Sequence, residues 1–391
     1  MEFLYISPEF PPNYANFILQ LDKMNVNVWG IGEADFYFMP ENMRSALKYY
    51  VRANLSSLVE VEKALEQLLS VKVSLGTPPQ FDMVESHNEQ WLHLEGFINK
   101  KYGIEGIKPQ DLIRLKKKSA MKALFKKSGL PVARGELILD FKHGLQLAND
   151  LGYPLILKPD EGVGAGGIHK VIDEAQLRHL LSEISGEYLM EEFISGSIYS
   201  FDGLADRNGN LVFYTAHMFS QGIMETVNEG RHIYYFSLRE IPPALEAFGR
   251  QCVKAFEVRE RFFHIEFFQI AADRYIGLEV NMRPPGGFTT DMFNYACDID
   301  IYRVWAELLV HQQTELPFTR RYHCCYASRK NNRRYLYDHD DIMARYGEFM
   351  IQVASVPGVF SSALGDIGYI FRSAELDDIF EITQFIHATE S

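Results

Sequence analysis

Short apolar runs alternate with amphipathic stretches from the first residues of the chain. Phe3-Leu4-Tyr5-Ile6-Ser7 has the length and content of a strand, and Tyr14 to Met24 carries apolar residues at helical spacing. Val26 to Ile31 returns to a strand pattern, roughly Leu55 to Leu69 is expected as a helix, and Phe81 to Ser86 as another strand. This alternation builds a small doubly wound βα unit, expected over residues 1–107. Lys108-Pro109 to Ser128-Gly129 is expected as one helix, closed by Gly129-Leu130-Pro131.

Further along, Tyr153 to Pro159 reads as a buried strand that delivers Lys158 at its end. A loop from Asp160 to Gly167 follows, then a strand over Ile168 to Val171, a helix over Asp173 to Ser182 and an extended run from Tyr188 to Ile194. Residues 199–216 form a hairpin pattern around Asn208-Gly209, a strong turn signal. Glu225 to Tyr234 is loop-like, and Pro242 to Val258 is a helix. His264 to Phe268 and Gly277 to Arg283 read as antiparallel strands joined at Ala272-Asp273-Arg274. Beyond residue 320, short strand patterns (Tyr322 to Ala327, Phe349 to Ala354, Gly368 to Arg372) precede a helix from Leu376 to Ile386. The fold class is therefore mixed α/β and α+β, in several units.

Composition narrows the partners. The 391 residues suffice for two or three domains with substantial cores. A net charge of −13 disfavours nucleic acid and anionic membrane as partners. No signal peptide and no long apolar span are evident. Cys252, Cys297, Cys324 and Cys325 lack metal-ligand spacing, so idle thiols in a reducing cytoplasm are expected.

Candidate chemistry concentrates in two stretches. Side chains alternate along a strand, which places Glu279, Asn281 and Arg283 on one face, with Glu266 available from the preceding strand. Two carboxylates and an amide oxygen make a hard-oxygen site suited to Mg²⁺ (or Mn²⁺) bridging nucleotide phosphates. Arg283 suits a phosphate or carboxylate. A solvated acidic hairpin would show the same pattern. Upstream, four glycines in six residues (Gly162, Gly164, Gly166, Gly167) let backbone N–H groups approach an anion. A strand follows this loop, so it is a flap and not a P-loop; a plain glycine-rich turn is the bland alternative. Gly30-Ile31-Gly32 lacks the third glycine of a dinucleotide fingerprint, since Asp35 stands there. Asn88-Glu89 follows a strand end, where either a ligand contact or a helix cap is expected. The basic run from Arg114 to Lys118 would by itself read as a solvated face.

Taken together, the order is a lysine-bearing helix, strand-Lys, glycine flap, Met190-Glu191-Glu192-Phe193-Ile194, then Glu266 and Glu279-x-Asn281-x-Arg283. That order resembles the ATP-grasp superfamily, over most of the chain to about residue 310. The resemblance implies a pre-ATP-grasp domain at 1–107 and an ATP-grasp domain at 108–318, with a lid lobe at about 130–190 and a metal-binding lobe at about 191–318. It implies a small C-terminal α+β domain at 319–391, a three-domain arrangement like biotin carboxylase. It implies nucleotide lysines at Lys118 and Lys158, the flap at Gly162, Gly164, Gly166 and Gly167, and an adenine-holding segment at Glu191, Glu192, Phe193 and Ile194. Glu266, Glu279 and Asn281 would be the Mg²⁺ ligands, and Arg283, with Lys158, would steady the transferred phosphate.

Two departures from the family pattern shape the expected activity. Gly196-Ser197-Ile198 lacks the ribose-binding glutamate, so that contact is either absent or supplied by another group, for which Asp202 is the candidate. Arg283-Pro284-Pro285-Gly286-Gly287 replaces the Arg-x-Gln-x-Glu of biotin carboxylases, so the glutamate that works on bicarbonate is missing. The glycine loop is closer to amino-acid and peptide ligases, where backbone N–H groups contact the acyl substrate. The expectation is thus an ATP-dependent carboxylate–amine ligase working through an acyl phosphate. Arg231, His232, Gly286 and Gly287 are expected on the substrate side. Its partners would be small-molecule carboxylates and amines, and a homodimer is compatible with the resemblance. The alternatives are another ATP-grasp enzyme, phosphotransferase or carboxylase-like, and a nucleotide-binding protein without ligase activity.

Overall fold

A computed structural model of the chain describes residues 1–162, 166–222, 226–227, 230–312, 314 and 316–389. Among them, no helix is long and apolar enough to cross a membrane. The architecture is mixed α/β, built on three sheets.

The first sheet holds β1 (Glu2–Ile6), β2 (Asn27–Gly32), β3 (Leu47–Arg52) and β4 (Met83–Glu85) in the order β3-β2-β1-β4, all parallel. Helices Ala15–Lys23, Leu58–Ser74 and Leu92–Tyr102 accompany it. The central strand β1 is almost wholly buried, as parallel strands covered on both faces must be. Strand β3 has no clear sequence signature because it is the sheet edge, where Lys48, Tyr49 and Arg52 stay exposed.

The second sheet orders β5 (Gly135–Leu137), β8 (Tyr188–Glu192), β6 (Leu155–Pro159) and β7 (His169–Val171) in antiparallel pairs. Helices Phe141–Leu151 and Glu174–Glu183 close its apolar core around Leu155, Leu157 and Met190.

The third sheet has eight antiparallel strands: β9 (Ser197–Ala205), β10 (Leu211–Phe219), β11 (Tyr234–Ser237), β12 (Arg261–Ala271), β13 (Arg274–Asn281), β14 (His323–Arg329), β15 (Met350–Ser355) and β16 (Ile367–Ser373). Their order is β13-β12-β9-β10-β11-β14-β16-β15. The C-terminal strands thus extend this sheet through the β11–β14 pairing and do not form a sheet of their own. Tyr235, Tyr326 and Ile370 pack on the side of helices Thr289–Cys297 and Ile301–His311. Phe236, Cys325 and Phe371 pack on the other side, against helices His339–Tyr346 and Leu376–His387.

The single helix expected over 108–129 is instead two, Pro109–Lys116 and Lys118–Lys127, with Lys117 extended at φ −81° and ψ 116°. The restart has its cause in a residue distant in sequence, Asp160. The backbone N–H of Lys118 donates to the Asp160 carbonyl at 2.8 Å, and the Ser119 N–H and hydroxyl donate to the Asp160 carboxylate at 2.7 and 2.9 Å. Asp160, from the flap, therefore caps the second helix and ties it to the glycine loop.

Candidate active site

Strands β12 and β13 pair so that Glu266 lies directly opposite Glu279, and His264 opposite Asn281. The two carboxylates are partly shielded, with side-chain exposures of 20% and 22%. Burial pushes the Glu266 carboxyl above its ordinary value, with the neighbouring Glu279 adding to the push and His264 opposing it. Asn281 is buried, and its Oδ1 has no hydrogen-bond partner. A buried acceptor without a donor and two facing carboxylates are unfavourable as they stand, and both are relieved by a hard cation. The donor set therefore fits Mg²⁺. No group of three His, Cys, Asp or Glu side chains suited to a metal occurs among the described residues, so the amide is needed to complete the set.

The expected lysines reach this place from other elements. Lys118 opens the second of the two short helices, and its Nζ lies 3.4 Å from Glu279 Oε1 and 3.4 Å from the Gly162 carbonyl. It thereby joins the flap to the carboxylate strands. Lys158, one residue from the end of β6, is paired at 2.6 Å with Glu191 of β8, whose other oxygen lies 2.5 Å from Lys122. Against the burial that would raise it, Lys158 and then Lys122 hold the Glu191 carboxyl below its ordinary value. Lys122 was not anticipated, although it stands four residues after Lys118 and so on the same helix face. Glu192 turns instead to Arg134, at 2.7 Å. Phe193 takes Lys170 over its ring at 3.8 Å, and Ile194 lies just beyond β8, half-buried.

In the flap, Gly167 adopts φ +73° against Pro159 and Tyr188, a conformation that favours glycine, and Gly166 is open around the position of a side chain. Gly164 lies outside the described residues, as do Asn228 and Glu229 of the loop before β11.

Arg283 extends past β13, donating to the Pro284 carbonyl at 2.8 Å and lying 3.4 Å from Glu89 of the N-terminal unit. Pro284 to Gly287 is held from the same side. Tyr14 donates to the Pro284 and Pro285 carbonyls, and Asn13 to the Gly287 carbonyl at 3.1 Å. Gly287 has φ +64°, and an added Cβ would sit 3.0 Å from Leu364. Gly286 has open space where a side chain would stand, and helix Thr289–Cys297 begins just after.

Two expectations need correction. Asp202 has no exposed surface, and its oxygens are engaged by His264 Nδ1 at 2.5 Å and His217 Nδ1 at 2.7 Å. Burial works against the charge, yet the two histidines hold this carboxyl far below its ordinary range. It is locked on β9 beside the carboxylate strands and has no free oxygen for a ribose. Its partner His264 lies 3.8 Å from Glu266, so a buried His217–Asp202–His264 chain flanks the candidate metal ligands on the same face of the sheet. The second correction concerns Arg231 and His232, which line a cavity with Tyr234 and His387. Tyr234 packs on the C-terminal helix side of the large sheet, whereas Tyr235 meets Thr289 beside the glycine loop at 3.1 Å. The sheet therefore separates His232 from Gly286 and Gly287.

Comparison with known proteins agrees with this geometry. Residues 151–291 match the family model of the ATP-grasp domain. A stretch of 130 residues is 32% identical to the C-terminal section of the carbamoyl phosphate synthase large chain of Methanopyrus kandleri, covering 32% of this chain but only 23% of that one. Over 283 residues the chain is 20% identical to an L-arginine-specific L-amino acid ligase of Bacillus subtilis, covering 68% of this chain and 65% of that protein. Among solved structures, an L-amino acid ligase from Bacillus licheniformis superposes with a TM-score of 0.74 at 15% identity, over 98% of this chain and 96% of the other.

Proposed function

We propose, from the ATP-grasp domain that this chain carries, that it is an ATP-dependent carboxylate–amine ligase. The observation that carries the reading is Lys118, which contacts both the flap at Gly162 and the carboxylate strand at Glu279. A cation held between flap and strands supports a role for Lys118 on the phosphates of a nucleotide.

In the proposed reaction a substrate carboxylate oxygen attacks the terminal phosphorus of ATP. The new O–P bond gives an acyl phosphate, and the bond to the β-phosphate breaks to release ADP. An amine then attacks the acyl carbon, the C–N bond forms, and phosphate leaves as the nitrogen gives up a proton. Glu266, Glu279 and Asn281 would hold Mg²⁺, which when bound neutralises charge on the phosphates. Lys118, Lys158 and Arg283 stabilise the charge that develops on the transferred group. Glu191 fixes the Lys158 ammonium in place, and Glu89 steadies Arg283 from the N-terminal unit. Gly286 and Gly287, at the entry to helix Thr289–Cys297, present backbone N–H groups and the positive helix end to the acyl substrate. The flap excludes water, which would destroy the acyl phosphate.

The similarity to amino-acid ligases supports amino acids as the first substrates to try. The divisions 1–107, 108–318 and 319–391 serve as the working domain limits. The four free thiols suit a cytoplasmic setting. The test is phosphate release from ATP across a panel of amino-acid pairs. Release that requires both an acid and an amine, with an amide of matching mass, supports the reading. Release with an acid or hydroxyl compound alone, leaving a stable phosphorylated product, contradicts it.

A further inference from the structure

We propose that Asp202 is a positioning residue of the candidate active site, holding the His264 imidazole beside Glu266 and so setting a carboxylate that would ligate Mg²⁺. The inference rests on the ligase reading, in which Glu266, Glu279 and Asn281 hold the metal, and assigns a role to the buried groups next to them.

Strand register gathers these groups. Across β13, β12, β9 and β10, Asn281 is opposite His264, His264 opposite Asp202, and Asp202 opposite Thr215. One row along, Glu279 is opposite Glu266, Glu266 opposite Ser200, and Ser200 opposite His217. Residues two apart in a strand share a face, so all eight side chains lie on one side of the sheet. The adjoining rows on β12, β9 and β10 are apolar, with Phe262, Leu204 and Phe213 in one direction and Phe268, Ile198 and Phe219 in the other. The polar patch is thus two rows deep on these strands, and they are the rows of the metal donors.

Asp202 and His217 are wholly buried, and the His264 side chain is 11% exposed. A carboxylate without water is costly, and apolar side chains would join β9 to β12 equally well. Three donors satisfy it. Ser200 Oγ and His217 Nδ1 donate to Oδ2 at 2.5 and 2.7 Å, and His264 Nδ1 donates to Oδ1 at 2.5 Å. His217 ends the chain, since its Nε2 is buried with no hydrogen-bond partner. His264 is the member whose other edge reaches the site. With Nδ1 committed to Asp202, its Nε2 stands 3.8 Å from Glu266 Oε1. A flip of the ring would replace that nitrogen with a carbon. Glu279 has Lys118 as its nitrogen neighbour at 3.4 Å; Glu266 has His264, and Asp202 keeps it there. Groups that orient metal ligands in this way are worth about ten- to a hundred-fold in metal affinity or activity.

The experiment measures how much Mg²⁺ strengthens ADP binding. ADP affinity of the full chain is taken by calorimetry with saturating Mg²⁺ and again with a chelator, for the parent, Asp202→Asn, His264→Gln, their double variant and His217→Phe. The parent should bind ADP more tightly with the metal. Asp202→Asn and His264→Gln should each weaken that gain by about ten-fold or abolish it. The double variant should lose no more than either, because Asp202 acts through His264. His217→Phe removes the far donor and leaves the Asp202–His264 contact, so it should lower the denaturation midpoint while the gain changes by less than about two-fold. A gain in Asp202→Asn equal to the parent's, losses that add in the double variant, or an equal loss in His217→Phe overturns the positioning role. Should Asp202→Asn not fold, an unchanged gain in His264→Gln overturns it alone. No gain in the parent contradicts the metal assignment beneath the ligase reading and removes the proposal with it, a failure distinct from a parent that gains and variants that match it.

Discussion

Two glutamates, the buried Glu191 and the partly shielded Glu266, carry opposite duties. Glu191 sits between Lys122 and Lys158 and balances both ammoniums. Replacing it with glutamine leaves two buried cations without a carboxylate, which costs about 3–5 kcal/mol by analogy with broken buried pairs. Chemical denaturation of Glu191→Gln should show that loss directly, and wild-type stability would refute the role. Glu266 faces another carboxylate in a protein without its cation, and like charges directly opposite destabilise a strand pair. Glu266→Gln is therefore expected to be at least as stable as the parent when metal-free, while ATP turnover falls by about 10²-fold or more. A variant that keeps turnover would remove Glu266 from the site. Sequence spacing was informative for Glu266, Glu279 and Asn281, because strand alternation alone puts such residues on a face. It misled for Asp202, which lies 62 residues from His264 in sequence and touches it only through the β9–β12 pairing. Local patterns carry no such long-range register. The lysine–glutamate–lysine cluster was hidden for the same reason: Glu191 was legible as a linker residue, and its pairing with the two ammoniums was not.

At the level of elements, the strands and helices with strong periodicity were readable, and the punctuation between them was not. The break at Lys117 depends on Asp160, more than forty residues away, capping the restart at Lys118. The loop Pro284 to Gly287 could be read as a glycine loop, yet what fixes its shape is Asn13 and Tyr14 from the N-terminal unit. Gly287→Ala tests that loop. The substitution forces an L side chain into φ +64° and against Leu364, a strain of about 1 kcal/mol. Activity with saturating ATP should fall about ten-fold while nucleotide affinity, read by fluorescence or calorimetry, stays within about two-fold, since the loop serves the acyl substrate. Loss of nucleotide affinity in step with activity would place the loop elsewhere in the cycle.

On the scale of the whole molecule, one continuous sheet joins the carboxylate strands to the C-terminal segment, so the histidine pair behind it contributes to global stability. His232 and His387 have folded-state values of about 4 and about 3, below their ordinary 6.5. Burial is the first cause for both; cationic neighbours follow for His232, and for His387 it is His232 itself together with Arg329 and Arg333. Depressed values favour the neutral rings in the fold. Their contribution is therefore present above 6.5 and is lost as pH falls from there toward 4 and 3. Denaturation midpoints should decline over that window, and His387→Asn should decline less steeply; an identical slope would show that the pair does not couple to folding.

The central claim is that a carboxylate is activated by phosphoryl transfer from ATP before an amine takes it. A carboxylic acid labelled with heavy oxygen, turned over with its amine partner and ATP, follows the bond that breaks. One labelled oxygen is expected to leave with each inorganic phosphate, seen by mass or by phosphorus NMR. Amide formation with unlabelled phosphate would contradict it.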